Sequence, residues 1–328
     1  MTYRTSRRRA LQWGLAASLA TPAVARAQQA WPPATITWLN PFPAGGGTDV
    51  FARPLAAQVG EQLGCQIIID NKGGAGGTVG ASQAAKMKPD GSVFFVGAIH
   101  HTIAPSIYKS LDYDLEKDFI PITMIALVPQ VISINPSRVP VTTASDFIAY
   151  VKKNPGKVNY ASPGAGTAHH LAGELFKLET KTDITHVPYR GAGPAMQDLL
   201  AGNADMMFDG MGTSAAQIRA KRLIGLAVAT PQRNPEFPDI PTAAEIGVPN
   251  WIVSTWYGLW AIKGTPQPVV DRMHAEVVKA LANPKLQQIW KDQTAQVGGE
   301  SQAEFAKRIR AEIEKWQKVV TAAGVKLD

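Results

Sequence analysis

The sequence predicts an α/β protein folded as two lobes, and three observations carry this. Strand-like and helix-like segments alternate without a break from residue 28 onward, which calls for mainly parallel sheets covered by helices. The chain has 328 residues, more than one ordinary core fills but comfortable for two. Glycine-rich turns stand repeatedly between a strand-like run and the helix that follows it. A hydrophobic content of 45% with 18% charged residues fits a globular protein and excludes extensive disorder.

The first 27 residues read as an export signal. Arg4, Arg7, Arg8 and Arg9 form a basic start, an apolar run follows to Ala25, and Ala25-Arg26-Ala27 offers a cleavage site before Gln28. The run is too short and too rich in Ala and Gly for a membrane anchor, and no later stretch nears 18 consecutive apolar residues. Ser6-Arg7-Arg8-Arg9-Ala10-Leu11 resembles the twin-arginine export motif, with Ala in a place where that motif prefers an aromatic; an arginine-rich Sec signal is the alternative. Removing the five arginines of this segment lowers the formal net charge from +7 to +2. The basic balance therefore gives no reason to expect a nucleic-acid partner, and any attraction of anions by the whole surface is weak. The lone Cys65 has no disulfide partner and precedes the apolar run 66–69, so a core-packing role is expected for it.

The strand-like runs are 35–40, 66–70, 92–97, 120–127, 130–135, 157–161, 184–188, 205–209, 223–230 and 253–262. Between them lie amphipathic segments. Thr143 is placed to cap a helix reaching Val151, and Thr265-Pro266 opens another over 269–282. Ser301-Gln302-Ala303-Glu304 is a capping box before a helix with Phe305, Ile309, Ile313, Trp316 and Val320 on one side and Gly324 as its stop. The C-terminal helices have no sheet of their own, so the simplest closure returns them to the first lobe. The expected division is 1–27 signal, 28–128 lobe one completed by 256–328, and 129–255 lobe two. Two strand-like crossings, near 128–135 and 253–260, would form the hinge.

The glycine-rich loops are the most informative feature. Two fall in lobe one, Pro41-Phe42-Pro43-Ala44-Gly45-Gly46-Gly47-Thr48-Asp49 and Lys72-Gly73-Gly74-Ala75-Gly76-Gly77-Thr78. Two fall in lobe two, Ser162-Pro163-Gly164-Ala165-Gly166-Thr167 and Arg190-Gly191-Ala192-Gly193-Pro194. A helix start leaves about four N–H groups unpaired and carries roughly half a positive charge, and glycine lets a ligand reach those groups, so such a loop is a ready anion site. Any one of them is better explained as a turn entering a helix. Loops of this kind in both lobes, all at the C-terminal ends of strands, point to a binding cleft. None carries a nucleotide fingerprint: no Gly-Lys-Ser/Thr closes a loop, and Gly164-Ala165-Gly166-Thr167-Ala168-His169 matches the dinucleotide pattern poorly.

Several segments together resemble the Bug-type substrate-binding proteins, the extracytoplasmic receptors of tripartite tricarboxylate transporters. They are the loop 41–49 running on to Ala52-Arg53, Asn71 to Gly80, Pro89-Asp90-Gly91, Tyr113-Asp114 through Asp118-Phe119, and Ser162 to Leu171. His186-Val187-Pro188-Tyr189-Arg190-Gly191, Asp198-Leu199-Leu200, the run 205–209, Pro238 to Thr242 and Trp256-Tyr257-Gly258 complete the pattern. The resemblance implies a periplasmic-binding-protein fold of the second type. It also implies a small organic carboxylate ligand held in the cleft by loops 42–48 and 162–167, and permease subunits as membrane partners. At Gly97 to Thr102 this chain has His100-His101 where many relatives carry small hydroxyl residues, and that loop would face the variable end of the ligand.

The candidate ligand-binding residues are Phe42, Ala44, Gly45, Gly46, Gly47, Thr48, Asp49, His100, His101, Ser162, Gly164, Gly166, Thr167, Tyr189 and Asp209. Within this set, Asp49 could contact ligand but suits helix capping better. Adjacent histidines point in different directions, so one of His100 and His101 is expected in the cleft and the other on the surface. Asp209 can accept from a ligand donor or from backbone. Only Arg53, Lys72 and Arg190 lie in or near the loops and none pairs into a clamp, so backbone amides of 44–48 and 164–167 are expected to hold the carboxylate. No nucleophile elbow, metal-spaced His/Glu motif or attack-ready Cys is present, so neither catalysis, a cofactor nor a metal is expected. A periplasmic monomer serving transport is the leading reading. A receptor feeding a sensor protein and an exported α/β enzyme are the alternatives.

Overall fold

The computed structural model describes residues 31–326; the expected signal segment and its cleavage site lie outside the described residues. The first strand, β1 (Thr35–Asn40), runs into helix α1 (Gly47–Leu63), and β2 (Gln66–Asn71) pairs parallel with β1. A single 3-10 turn (Ala75–Gly77) leads into α2 (Thr78–Ala85). Strand β3 (Val93–Ala98) pairs parallel on the other side of β1, and α3 (His100–Ile107) follows it directly.

The long strand β4 (Phe119–Ile134) joins the two halves of the molecule. After it come α4 (Ala144–Lys153), β5 (Asn159–Ser162), α5 (Ala168–Thr180), β6 (Thr185–Pro188), α6 (Ala192–Ala201), β7 (Met206–Gly210), α7 (Met211–Arg219) and β8 (Ile224–Val228). The chain then returns as β9 (Ser254–Ile262) and ends in α8 (Gln267–Leu281), α9 (Pro284–Asp292), the short β10 (Gln296–Val297) and α10 (Gln302–Ala323).

Strand order is β2-β1-β3-β9-β4-β7-β5-β6, with β8 and β10 also on β4. Residues 119–129 of β4 pair with β9, and residues 130–134 pair with β7, with β8 on the other side. The fold is two-lobed α/β, each lobe holding three strands in parallel register. The sheets are mixed rather than mainly parallel, because the two returning strands, β9 and β4, insert antiparallel. The runs 120–127 and 130–135 are one strand: Pro129 lacks a donor but pairs with Ser254 without breaking the ladder.

Local signals set the element ends. Thr143 accepts from the Asp146 amide, Ser301 and Glu304 form the reciprocal capping box, and Gly324 ends α10 at φ 66°. Trp256, Trp260 and Phe305 pack edge-on and tilted in the first lobe; Phe176, Phe208 and Trp251 do so in the second. Cys65 is half-buried rather than in the core, since β2 is the edge strand of its sheet and leaves Ile68 exposed. Among the described residues no helix is long and apolar enough to cross a membrane.

Candidate functional site

All four glycine-rich loops meet where the two lobes face each other. Packing there is close enough that side chains are excluded. A Cβ at Gly191 would lie 2.6 Å from Pro43 Cδ, and one at Gly76 would lie 2.8 Å from the Ala165 carbonyl oxygen. Two adjoining cavities lie at this junction. The outer one, about 210 Å³, is bounded by Phe42, the 74–77 loop, Tyr108, Pro163 to Ala165, and Pro188 to Arg190. The inner one, about 10 Å³, is bounded by Phe42, Gly46 to Thr48, His100, Pro163, His169, Ala192 and Tyr257.

The first loop presents donors. Gly46 caps α1 with no side chain to occupy the helix start, and the amides of Gly46, Gly47 and Thr48 find no acceptor among the described residues. Behind them Asp49 organises the turn. Its carboxylate accepts from the Gly45 amide (3.1 Å), Arg53 Nε (2.7 Å) and Asn71 Nδ2 (3.2 Å). Burial opposes that charge, but these donors outweigh it and hold the Asp49 carboxyl below its ordinary value. Asp49 is thus a turn-organising residue, turned toward Arg53 and Asn71. The Tyr257 phenol closes the far side: a Cβ on Gly47 would sit 1.9 Å from its oxygen.

The lobe-two loop looks alike in sequence, but most of its amides are taken, that of Ala165 excepted. Gly164 N–H donates to Ser162 Oγ (3.2 Å), Gly166 N–H to His170 Nδ1 (3.1 Å) and Thr167 N–H to the Gly164 carbonyl (3.3 Å). Most telling, the first amide of α5, Ala168 N–H, donates across to His100 Nδ1 (3.0 Å). Of the donors expected over 164–167, those of Gly164 and Gly166 are bonded to side chains and that of Thr167 to a backbone carbonyl, which leaves the Ala165 amide open.

Both His100 and His101 are buried; neither is on the surface. Position 100 opens α3 and faces the inner cavity, whereas His101 turns into the first lobe against Phe95 and Tyr113, with Nδ1 at Ala98. Burial, then His169 and His101 nearby, pushes the His100 imidazole well below its ordinary value; burial lowers His101 to about 4. Ser162 is fully buried and its Oγ lies 2.6 Å from His186 Nε2. That hydroxyl also bonds Gly164 and lines neither cavity, so the pair supports the loop. Tyr189 borders the outer cavity, and its phenol is pushed up to about 12 by burial and by Asp198.

Asp209 is the penultimate residue of β7 and fully buried. Its Oδ2 accepts from the Thr213 and Ser214 hydroxyls, the latter at 2.6 Å. Its Oδ1 accepts nothing and faces His169 Nε2 at 3.5 Å. The sequence reading missed His169 and Tyr257. A second histidine beside His170 was the only signal for the first, and Tyr257 reads as an ordinary strand residue. Among the described residues no group of three His, Cys, Asp or Glu side chains is placed to hold a metal ion.

The sequence model of the tripartite tricarboxylate transporter family receptor, TctC, matches residues 51–325. A protein from the tcbD-tcbE intergenic region of Pseudomonas sp. (strain P51) is 36% identical over 96% of this chain and 94% of its own length. BugT of Bordetella pertussis is 33% identical over 90% of this chain and 91% of its own. Among solved structures, a periplasmic transporter superposes with TM-score 0.88 at 40% identity, covering 91% of this chain and 100% of that one. Rpa4515 of R. palustris with adipate gives 0.87 at 34%, covering 90% and 99%. MatC of Rhodopseudomonas palustris with bound malate gives 0.84 at 33%, covering 88% and 100%. With two lobes, facing glycine loops and these likenesses over nearly its whole described length, the chain belongs to the tripartite tricarboxylate transporter receptor family, the Bug-type solute-binding proteins.

Proposed function

We propose that this chain is an exported, non-catalytic receptor that captures a small organic carboxylate in the periplasm and delivers it to the permease subunits of a tripartite-type transporter. The observation that carries the reading is the start of α1, where Gly46, Gly47 and Thr48 line the inner cavity with amides that find no acceptor among the described residues. Charge-assisted hydrogen bonds contribute about 1.5–3 kcal/mol each, so two or three of them suffice for useful affinity without a lysine or arginine. Relatives of similar length hold adipate and malate, which supports a carboxylate of that size.

Capture proceeds by closure. Lobe one comprises 28–128 and 256–328, lobe two 129–255, and residues 1–27 are the cleaved signal. The change of β4 partner between Pro129 and Gln130 and the start of β9 at Ser254 support these boundaries. Phe42, Gly46, Gly47, Thr48 and His100 face the ligand from the first lobe and Gly164 and Tyr189 from the second, while Ala44, Gly45, Asp49, His101, Ser162, Gly166, Thr167 and Asp209 hold those groups in place from behind. Hinge closure of this type is how such two-lobed proteins engage ligands.

A thermal-shift panel of mono-, di- and tricarboxylates tests the reading. A true ligand at 100 times its dissociation constant stabilises the protein by about 2.7 kcal/mol. A panel in which no carboxylate raises the melting temperature overturns it.

A further inference from the structure

The two cavities differ in size and in charge. The inner one has room for about one water-sized group, enough for a carboxylate head at the start of α1 and no more. Phe42 and Pro163 border both cavities, so the remainder of a ligand seated there extends past them into the outer space of about 210 Å³. Arg190 is the one lysine, arginine, aspartate or glutamate that lines either cavity, and it lines the outer one. The Ala165 amide, the donor left open in 164–167, borders the same outer space.

We propose that Arg190 is the specificity-determining residue of the outer cavity: its guanidinium pairs with a second carboxylate at the far end of the ligand, so that the cleft selects dianions over monoanions of the same length. The inference rests on the carboxylate reading above and deepens it.

The other cations of the loops are already paired, which singles out Arg190. Arg53 donates to Asp49 (2.7 Å) and to Asn71 (2.9 Å), and Lys72 lies 3.1 Å from Asp70. The Arg190 guanidinium has neither an ion pair nor a hydrogen bond among the described residues. The two tyrosines of the outer cavity offer rings rather than hydroxyls: Tyr108 donates to the Ala75 carbonyl (3.1 Å), and the Tyr189 phenol is bonded to Asp198. Pro163 and Pro188 have no N–H to give. A neutral tail therefore leaves the guanidinium to water, whereas a carboxylate matches its planar fork of donors. Arg190 is exposed, so the pair is solvated, modest in strength and weakened by salt. It sorts ligands, while the open amides at the start of α1 hold the first carboxylate.

The test compares acids of equal length that differ only in a terminal carboxylate or methyl group: succinate against butyrate, and adipate against hexanoate. Calorimetry near pH 7, where both carboxylates of a diacid are ionised, reads each dissociation constant. The expected result is at least about tenfold tighter binding of the diacid in one pair or both, a preference that shrinks as salt is added. In Arg190→Gln the ratio of the two constants collapses toward one. Arg190→Lys keeps the charge without the fork and is expected to retain part of the ratio. Lys72→Gln removes the same charge from a neighbouring loop, outside both cavities, and is expected to keep the full ratio, which separates contact from general attraction. A ratio unchanged in Arg190→Gln, or a monoacid bound as tightly as its diacid by the unaltered protein, overturns the proposal and leaves the carboxylate reading standing. If neither these acids nor citrate binds, the carboxylate reading fails and the proposal falls with it.

Discussion

The loop that starts α1 and the loop that starts α5 share a sequence signature: several glycines, then threonine, then a helix at the end of a strand. Their hydrogen bonds differ. At α1 the cap residue is glycine, and Asp49 reaches back only as far as Gly45, so the next three amides stay open. At α5 the cap is Thr167, whose side chain accepts from the His170 amide, while His170 and His100 take two more. A glycine-rich turn provides room for a ligand; whether its donors are available depends on which side chains reach back into it. Here the start of α1 leaves three amides open, whereas the first amide of α5 is bonded to His100 from the other loop cluster.

The sharpest break of this comparison is Gly47→Val. Its Cβ must displace the buried Tyr257 phenol, so stability falls by about 1–3 kcal/mol and carboxylate binding is lost. Gly46→Ala is the control, because its Cβ meets Ala192 at an ordinary 3.6 Å. Melting curves and calorimetry on the pair read both effects, and normal binding by Gly47→Val moves the site away from α1.

Next in size is His100→Ala, which leaves the buried Ala168 amide without its acceptor, at a cost of about 1–3 kcal/mol. Hydrogen exchange at that amide is expected to accelerate in the variant. Unchanged protection means the lobe-two loop does not depend on a side chain from the first lobe.

The smallest effect is the acid response of the first loop. The Asp49 carboxyl titrates below its ordinary value, so its contribution is complete above about pH 4, where the unfolded group ionises, and is lost as pH falls through the folded value. Wild type is expected to melt above Asp49→Asn at pH 5, with the gap closing toward pH 3. A gap that is constant with pH removes the charge on Asp49 from the account of this loop.

Much of this was legible in the sequence because it is encoded locally. The capping box at Ser301, the stop at Gly324 and the glycine loops each depend on residues within a few positions. What could not be read depends on distant partners. The amide of Ala168 is occupied by a side chain 68 positions earlier in the chain. His101 looks like a polar surface residue until Phe95, Phe119 and Tyr113 are packed around it and one another. Pro129 resembles a break between strands, but it sits where β4 changes partners and needs no donor.

The place of β9 in the sheet has a consequence for how the molecule is made. It lies between β3 and β4, with Ala98 opposite Tyr257 and Leu127 opposite Trp256. Well over a hundred residues separate these partners in the chain. The central gap of the first sheet therefore stays open until the last quarter of the polypeptide has been synthesised, with the edges of β3 and β4 unpaired throughout. Pairings this remote in sequence form slowly, and exposed edges invite association with other chains. Newborn chains of this protein thus pass through a period of vulnerability that ends only when the C-terminal segment arrives, and a truncation before residue 254 forfeits the first lobe as well as the helices it removes.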